Sequence, residues 1–402
     1  MEDPFTVSAD GTFQQDGFAI GAGGMQAAGQ AGAPAESADG MHPSIKLVEP
    51  GQPKQKKKGM AGLSLDCEAE APAPAPAAAE EKPAVSAAAD ETMASMASGM
   101  SGGMQYDNLE ELEQLGAGAS GTVWRVRDKS TGNIYALKQI PLEADEAKRK
   151  QLIIELKTMH DCDCPEIVTC HGLFYAESAF YIVLELMDSG SFFDLIEASP
   201  GKIVPEEVIA IVAAQMCRAL RYLHETRKLI HRDLKPPNIL VNKSGQFKVA
   251  DFGVSGVMDQ SKSVCASWVG TVTYMSPERI GGEKYGFRSD VWSMGLLLLE
   301  AAIGRYPYIN SQTPPSLSFW DLLDLIVDKP APKLPSDKGF STEFRQFIAA
   351  TLAKDSKKRP TAFECLKSPF LQKAAKSTFD VAGWIQQTQT AAAAAAAAEE
   401  AA

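Results

Sequence analysis

The period of the apolar positions changes near residue 188. Between Leu109 and Met187 they fall in short β-rich runs, at 121–127, 134–140, 173–175 and 179–186, the last two separated by a tight polar turn. One stretch, 146–159, reads as a helix interrupting them. Beyond Asp188, Val208, Ile211, Val212, Met216, Ala219, Leu220 and Leu223 return at helical spacing on one face. The pattern predicts an α+β architecture: a small β-rich lobe with one helix, followed by a larger, mainly helical lobe. No repeat at 20–50 residues interrupts that reading.

Both flanks lack such a pattern. Residues 1–104 contain only Phe5, Phe13 and Phe18 as aromatics, and they include an Ala-Pro repeat at 71–76. So little apolar surface does not offset the entropy of ordering, and residues 1–105 are expected to be disordered. At the other end, eight alanines precede Glu399 and Glu400. With no amphipathic face to dock, that tail is expected to be frayed helix or coil. The folded body is therefore placed at 106–372, with a C-terminal extension over 373–402.

Charge changes the picture only in the flanks. The 402-residue chain carries a net −12, but residues 1–104 hold 14 acidic and 6 basic residues and the remainder 37 and 33. An acidic chain is a poor nucleic-acid coat or cationic membrane binder. Its longest apolar stretches, 208–216 and 296–299, fall far short of the ~20 residues that span a bilayer. The N-terminus begins Met1-Glu2-Asp3-Pro4 with no apolar run, and seven scattered cysteines read as reduced thiols, which points to the cytoplasm and also admits the nucleus.

Chemistry enters with a glycine-rich run, Gly116-Ala117-Gly118-Ala119-Ser120-Gly121-Thr122-Val123. Alone it is weak, because dinucleotide folds share it. Here β-type residues follow the glycines where a dinucleotide fold would open a helix. Such glycines let backbone N–H groups approach a polyphosphate. Lys138 follows in the next strand, within Tyr135-Ala136-Leu137-Lys138, and Glu155 lies in the predicted helix. The decisive element is His231-Arg232-Asp233-Leu234-Lys235-Pro236-Pro237-Asn238, with Asp251-Phe252-Gly253 after it and Met275-Ser276-Pro277-Glu278 later. Phosphoryl transfer asks for a carboxylate to take a hydroxyl proton, a cation for the moving phosphoryl, and hard oxygen ligands for Mg²⁺.

In these motifs residues 109–370 resemble a eukaryotic protein kinase. The resemblance implies the bilobal kinase fold, ATP and Mg²⁺ as cofactors, and a role for each matching residue. Asp233 is implied as the base, assisted by Lys235; Lys138 as the contact to the ATP phosphates, paired with Glu155; and Asn238 and Asp251 as metal ligands. Glu185, Leu186 and Met187 would form the adenine-binding hinge behind Leu184. Asp290 and Arg359 would brace the catalytic loop and pair with Glu278. Lysine two residues past the base resembles the Ser/Thr type.

Val269-Gly270-Thr271-Val272-Thr273-Tyr274-Met275-Ser276-Pro277-Glu278, with Met187-Asp188-Ser189-Gly190-Ser191 and Ile239-Leu240-Val241-Asn242, narrows the resemblance to the MAP kinase kinases, in a plant- or algal-like form. That family phosphorylates the Thr and Tyr of a Thr-x-Tyr motif in a MAP kinase and is switched on by a MAP kinase kinase kinase. Pro237, Trp268 and Ala250 depart from residues common in the family. Another Ser/Thr kinase of the same cascade class and a pseudokinase scaffold remain alternatives; intact Lys138, Asp233, Asn238 and Asp251 weigh against the scaffold.

Regulation is read from serines and lysines. Ser263 and Ser267 fit the Ser-x3-Ser spacing of the animal family; Ser261 and Ser267 fit the x5 spacing of the plant family. Arg232, beside the base, could hold a phosphate placed on that loop. In the acidic flank, Lys54, Lys56, Lys57 and Lys58, then Leu63 and Leu65, resemble a docking motif for the downstream MAP kinase over 54–65, with a nuclear import signal or a solvated run as competitors. Residues 361–386 resemble the segment where upstream kinases dock. His160, Cys162, Cys164, Cys170 and His171 invite a zinc reading, but Cys-x-Cys is not the usual structural spacing.

Overall fold

The computed structural model describes five short strands between residues 6 and 46, and residues 100–118, 121–141, 146–251, 272–309 and 319–400. The short strands, Thr6–Val7, Phe13–Gln15, Phe18–Gly21, Gly24–Ala27 and Ile45–Lys46, pair antiparallel in one sheet. The rest of 1–99, over which disorder is expected, lies outside the described residues.

The small lobe is an antiparallel sheet of five strands: β1 (Leu109–Gly118), β2 (Gly121–Asp128), β3 (Ile134–Pro141), β4 (Cys170–Ala176) and β5 (Ala179–Glu185), in the order β1-β2-β3-β5-β4. Its register sorts side chains by function. Lys138 lies opposite Val123 and Ile182, and Ala136 opposite Leu184. The alternate residues Val126, Leu137, Tyr181 and Val183 form a separate core. A strand's period of two thus sends Ala136 and Lys138 to the cleft and Leu137 into packing. Helix α1 (Glu146–His160) buries Leu152, Ile153, Leu156 and Met159 against the lobe.

The large lobe is built on α2 (Phe192–Ala198), α3 (Glu206–Arg221) and α5 (Arg288–Ile303), with the β6–β7 hairpin (Ile239–Val241, Phe247–Val249) and a short α4 (Pro277–Ile280). Ser191 and Asp194 close a capping box at the start of α2. Helix α5 is buried on every side from Ser289 to Ala302, which places it in the middle of the lobe. Around it lie α6 (Phe319–Asp328), α7 (Thr342–Thr351), α8 (Ala362–Leu366) and α9 (Pro369–Ala374).

The tail corrects an expectation. Residues Val381–Glu400 form a regular helix, α10. Its first half does possess a docking face: Ile385 and Thr388 are buried, and Val381 and Trp384 pack on the main core. Docking supplies the costly first turns, and alanine, the best helix former, then propagates them. Among the described residues no helix is long and apolar enough to cross a membrane.

Candidate active site

Between the lobes lies a cleft of about 470 Å³. Gly116 and Val123 roof it from β1 and β2, Ala136 and Lys138 enter from β3, and Leu184, Glu185, Leu186 and Met187 form its back; Asp251 closes the inner end. These predicted residues converge from four strands and two loops. Gly121 has φ +123°, and a Cβ there would sit 1.9 Å from the Gln139 carbonyl oxygen, so only glycine lets the start of β2 lie this close to β3. Ala117 and Gly118 end β1 beside it. Ser120, Ser261, Ser263, Ser267 and the 54–65 segment lie outside the described residues.

The Glu185 side chain is bonded away from the cleft as well as standing in its back wall. Its carboxylate accepts Lys248 Nζ at 2.7 and 2.8 Å and the Thr169 N–H at 2.7 Å. The side chain is therefore occupied in fixing the segment that joins the lobes, while residues 184–187 still line the cleft.

At the inner end, Lys138 Nζ lies 2.5 Å from Asp251 Oδ1. This replaces the Lys138–Glu155 pair implied by family resemblance: among the described residues the ion-pair partner of Lys138 is Asp251. Asp251 has φ +57°, a left-handed turn of backbone that directs its carboxylate at the ammonium. Burial would raise the Asp251 carboxyl, but the adjacent Lys138, with Lys235 and His231 behind it, holds it below the usual range. Glu155 is buried on α1 and makes contacts of its own.

The catalytic loop is held by its own chain. Lys235 Nζ approaches Asp233 Oδ2 at 3.1 Å. Asn238 spends both amide hydrogens on Asp233, at 2.6 Å to its carbonyl and 3.0 Å to Oδ2. Only Asn238 Oδ1 is then left to meet a cation. The Ala250 N–H donates to the Asn238 carbonyl at 2.9 Å, which ties the loop to the residue before Asp251. His231 Nε2 donates to the Ala250 carbonyl at 2.9 Å, and the Asp233 N–H donates to His231 Nδ1 at 3.3 Å, so the ring is assigned as the Nε2–H tautomer.

Two buried acids frame that loop. Asp290 accepts the His231 and Arg232 N–H groups at 2.8 and 3.0 Å, and His224 Nε2 lies 2.7 Å from it. Burial raises the Asp290 carboxyl, but His224 and the backbone donors outweigh it and hold it low. Arg232 itself has φ +73°. Glu278 receives both terminal nitrogens of Arg359, at 2.8 and 3.1 Å, and the Ser289 hydroxyl at 2.9 Å. The role of His224 was not legible in the sequence. It sits in a π-turn over Tyr222–Arg227, which re-aims residues after α3 away from the helical face. Val168 and Leu240, on the cleft floor, were likewise missed.

The cysteine-rich segment has separate local bonds: the Cys162 thiol donates to the Thr158 carbonyl at 3.2 Å and Cys164 to Glu166 at 3.5 Å. Burial pushes both thiols up to about 11 and Cys170 to about 12, so thiolate ligands are disfavoured.

Fold and cleft define a protein kinase, and the protein kinase domain family matches residues 109–371. Among similar proteins, mitogen-activated protein kinase kinase 2 of Arabidopsis thaliana is 42% identical over 282 residues, covering 70% of this chain and 77% of the relative. The dual specificity mitogen-activated protein kinase kinase dSOR1 of Drosophila melanogaster is 40% identical over 307 residues, 71% and 76% of the two chains. Mitogen-activated protein kinase kinase 1c of Physcomitrium patens is 43% identical over 276 residues, 68% and 79%. The chain belongs to the MAP kinase kinase family.

A protein kinase uses ATP and a divalent metal, and the residues present fit both. Ala136, Val123, Val168, Leu184 and Leu240 make an apolar slot for a flat base. The Asp251 carboxylate and Asn238 Oδ1 are the hard oxygen donors a small divalent cation takes.

Proposed function

We propose that this kinase transfers the γ-phosphoryl group of ATP, with Mg²⁺, to the Thr and Tyr of a Thr-x-Tyr motif in a MAP kinase activation loop. The observation that carries the reading is the Asp233–Lys235–Asn238 cluster, 3.1 and 3.0 Å apart around one carboxylate oxygen, beside Asp251 and Lys138. Asp233 accepts the substrate hydroxyl proton; Lys235, already against that carboxylate, follows the charge to the phosphoryl oxygens. Asn238 and Asp251 would hold Mg²⁺, and Lys138, paired with Asp251 at 2.5 Å, would hold the α/β-phosphates, with Glu155 behind it. When bound, ATP would supply the phosphoryl group and the metal would neutralise its developing charge.

In this reading a MAP kinase kinase kinase switches the enzyme on at Ser267 together with Ser263 or Ser261. Arg232 supports it, because its Nε is buried and has no hydrogen-bond partner among the described residues, which suits a cation that later meets a phosphate. The lysines of 54–65 with Leu63 and Leu65 recruit the substrate kinase. The test is phosphosite mapping of a MAP kinase panel incubated with a variant bearing acidic residues at 263 and 267. Phosphothreonine and phosphotyrosine in one Thr-x-Tyr motif, abolished by Asp233→Ala, is the expected result; phosphate on serine or threonine alone would overturn dual specificity.

A further inference from the structure

The lower wall of the cleft is formed where the chain leaves the segment joining the lobes. Asp188, Gly190 and Ser191 line the cleft there, and Ser189 between them is buried. On one side this wall is sewn to β6: the Ser189 N–H donates to the Val241 carbonyl at 3.1 Å, and the Val241 N–H donates to the Gly190 carbonyl at 2.9 Å. On the other side the Ser189 carbonyl accepts Gln389 Nε2 at 3.0 Å, from the C-terminal helix.

A second contact of α10 reaches the same half of the cleft. Gly245, with φ +81°, turns the β6–β7 hairpin, and a Cβ there would lie 3.1 Å from Val381 Cβ. That hairpin follows Asn238 and leads into Asp251. Val381, Trp384, Ile385, Thr388 and Gln389 fall at i, i+3, i+4, i+7 and i+8, one face of a helix. From Ala393 to Ala398 the residues are exposed. The helix thus has a docked half and a free half.

We infer that Gln389 is a positioning residue for the nucleotide: the docked half of α10 clamps the Asp188–Ser191 wall against β6, and so sets how tightly the cleft holds ATP. Without the amide donor the buried Ser189 carbonyl loses its partner on that side, and the wall between Asp188 and Ser191 is no longer held from behind. The inference needs only the protein kinase family, and its readout is independent of the protein substrate.

The experiment titrates full-length protein with a fluorescent ATP analogue and Mg²⁺, and measures KM for ATP and kcat on a generic peptide. Each variant is studied well below its own melting temperature, so that the constants describe folded protein. Gln389→Glu keeps the shape but sets a carboxylate against the carbonyl; it should raise Kd and the ATP KM about three- to tenfold, the range of one net hydrogen bond, with kcat within about twofold. Gln389→Lys, which keeps a donor, should recover most of the affinity. A chain ending at residue 379 should be at least as impaired as Gln389→Glu, and a chain ending at residue 392 should bind like the parent. Unchanged Kd in Gln389→Glu overturns the inference. So does a fall in kcat at constant KM, which marks general loosening. Should the chain ending at 379 fail to fold, the two point variants decide.

Discussion

Arg359→Ala is the sharpest test of what holds the large lobe around the active site. The guanidinium is fully buried, forks onto both Glu278 oxygens at 2.8 and 3.1 Å, donates to the Arg288 carbonyl at 2.8 Å, and stacks 5.2 Å from the Trp292 ring centre. Truncation leaves the Glu278 carboxylate buried, with the Ser289 hydroxyl as its remaining side-chain donor among the described residues. Removing one partner of a buried pair costs about 3–5 kcal/mol. At ~2–4 °C per kcal/mol for a domain of this size, melting should fall by about 6–20 °C. Thermal unfolding followed by circular dichroism measures it. Glu278→Ala/Arg359→Ala should cost clearly less than the two single changes together, because neither charge is then stranded. A single-variant shift under about 2 °C, or strict additivity in the double variant, would refute the reasoning.

Three further outcomes follow from the same geometry. The Asp290 carboxyl is held below its unfolded value, so its stabilisation is present above pH ~4 and is lost as pH falls through the lower folded value; Asp290→Asn should cost about 2 kcal/mol at pH 7 and flatten urea-measured stability between pH 5 and 3. Lys138→Met should cut kcat at least about 100-fold while Asp251 loses the cation that lowers it, read by kinase assay and by a metal affinity that becomes more sensitive to mild acid. Gly121→Ala should destabilise the small lobe by about 2 kcal/mol, whereas Gly116→Ala, whose Cβ meets nothing within 4 Å among the described residues, should stay within about 0.5 kcal/mol in thermal melts.

Much of the cleft was readable because its chemistry is local in sequence: Asp233, Lys235 and Asn238 lie within six residues, and the period of two already sent Ala136 and Lys138 to one face. What was not readable depends on contacts between distant segments. Leu109, Leu112 and Leu115 recur every third residue, which suits a helix, yet pairing with β2 makes this stretch strand β1. The polyalanine tail has no signal of its own, and it is ordered by Ile385 and Thr388, which dock within about two turns of its start. Asp251 as the partner of Lys138 requires a left-handed residue 113 positions away in the chain. His224 reaches Asp290 only because the helix widens into a π-turn.

The backbone at Arg232 and Asp251, φ +73° and +57°, bears on how this protein can change. Side chains at such angles cost about 1 kcal/mol or more each against relaxed geometry, and that energy is returned by Asp290 and Lys138. Selection for stability alone would therefore drift toward glycine or asparagine at both positions. Heat-resistant variants recovered without an activity screen should be enriched in inert enzymes altered at these two residues, so thermostabilising this kinase requires holding both fixed.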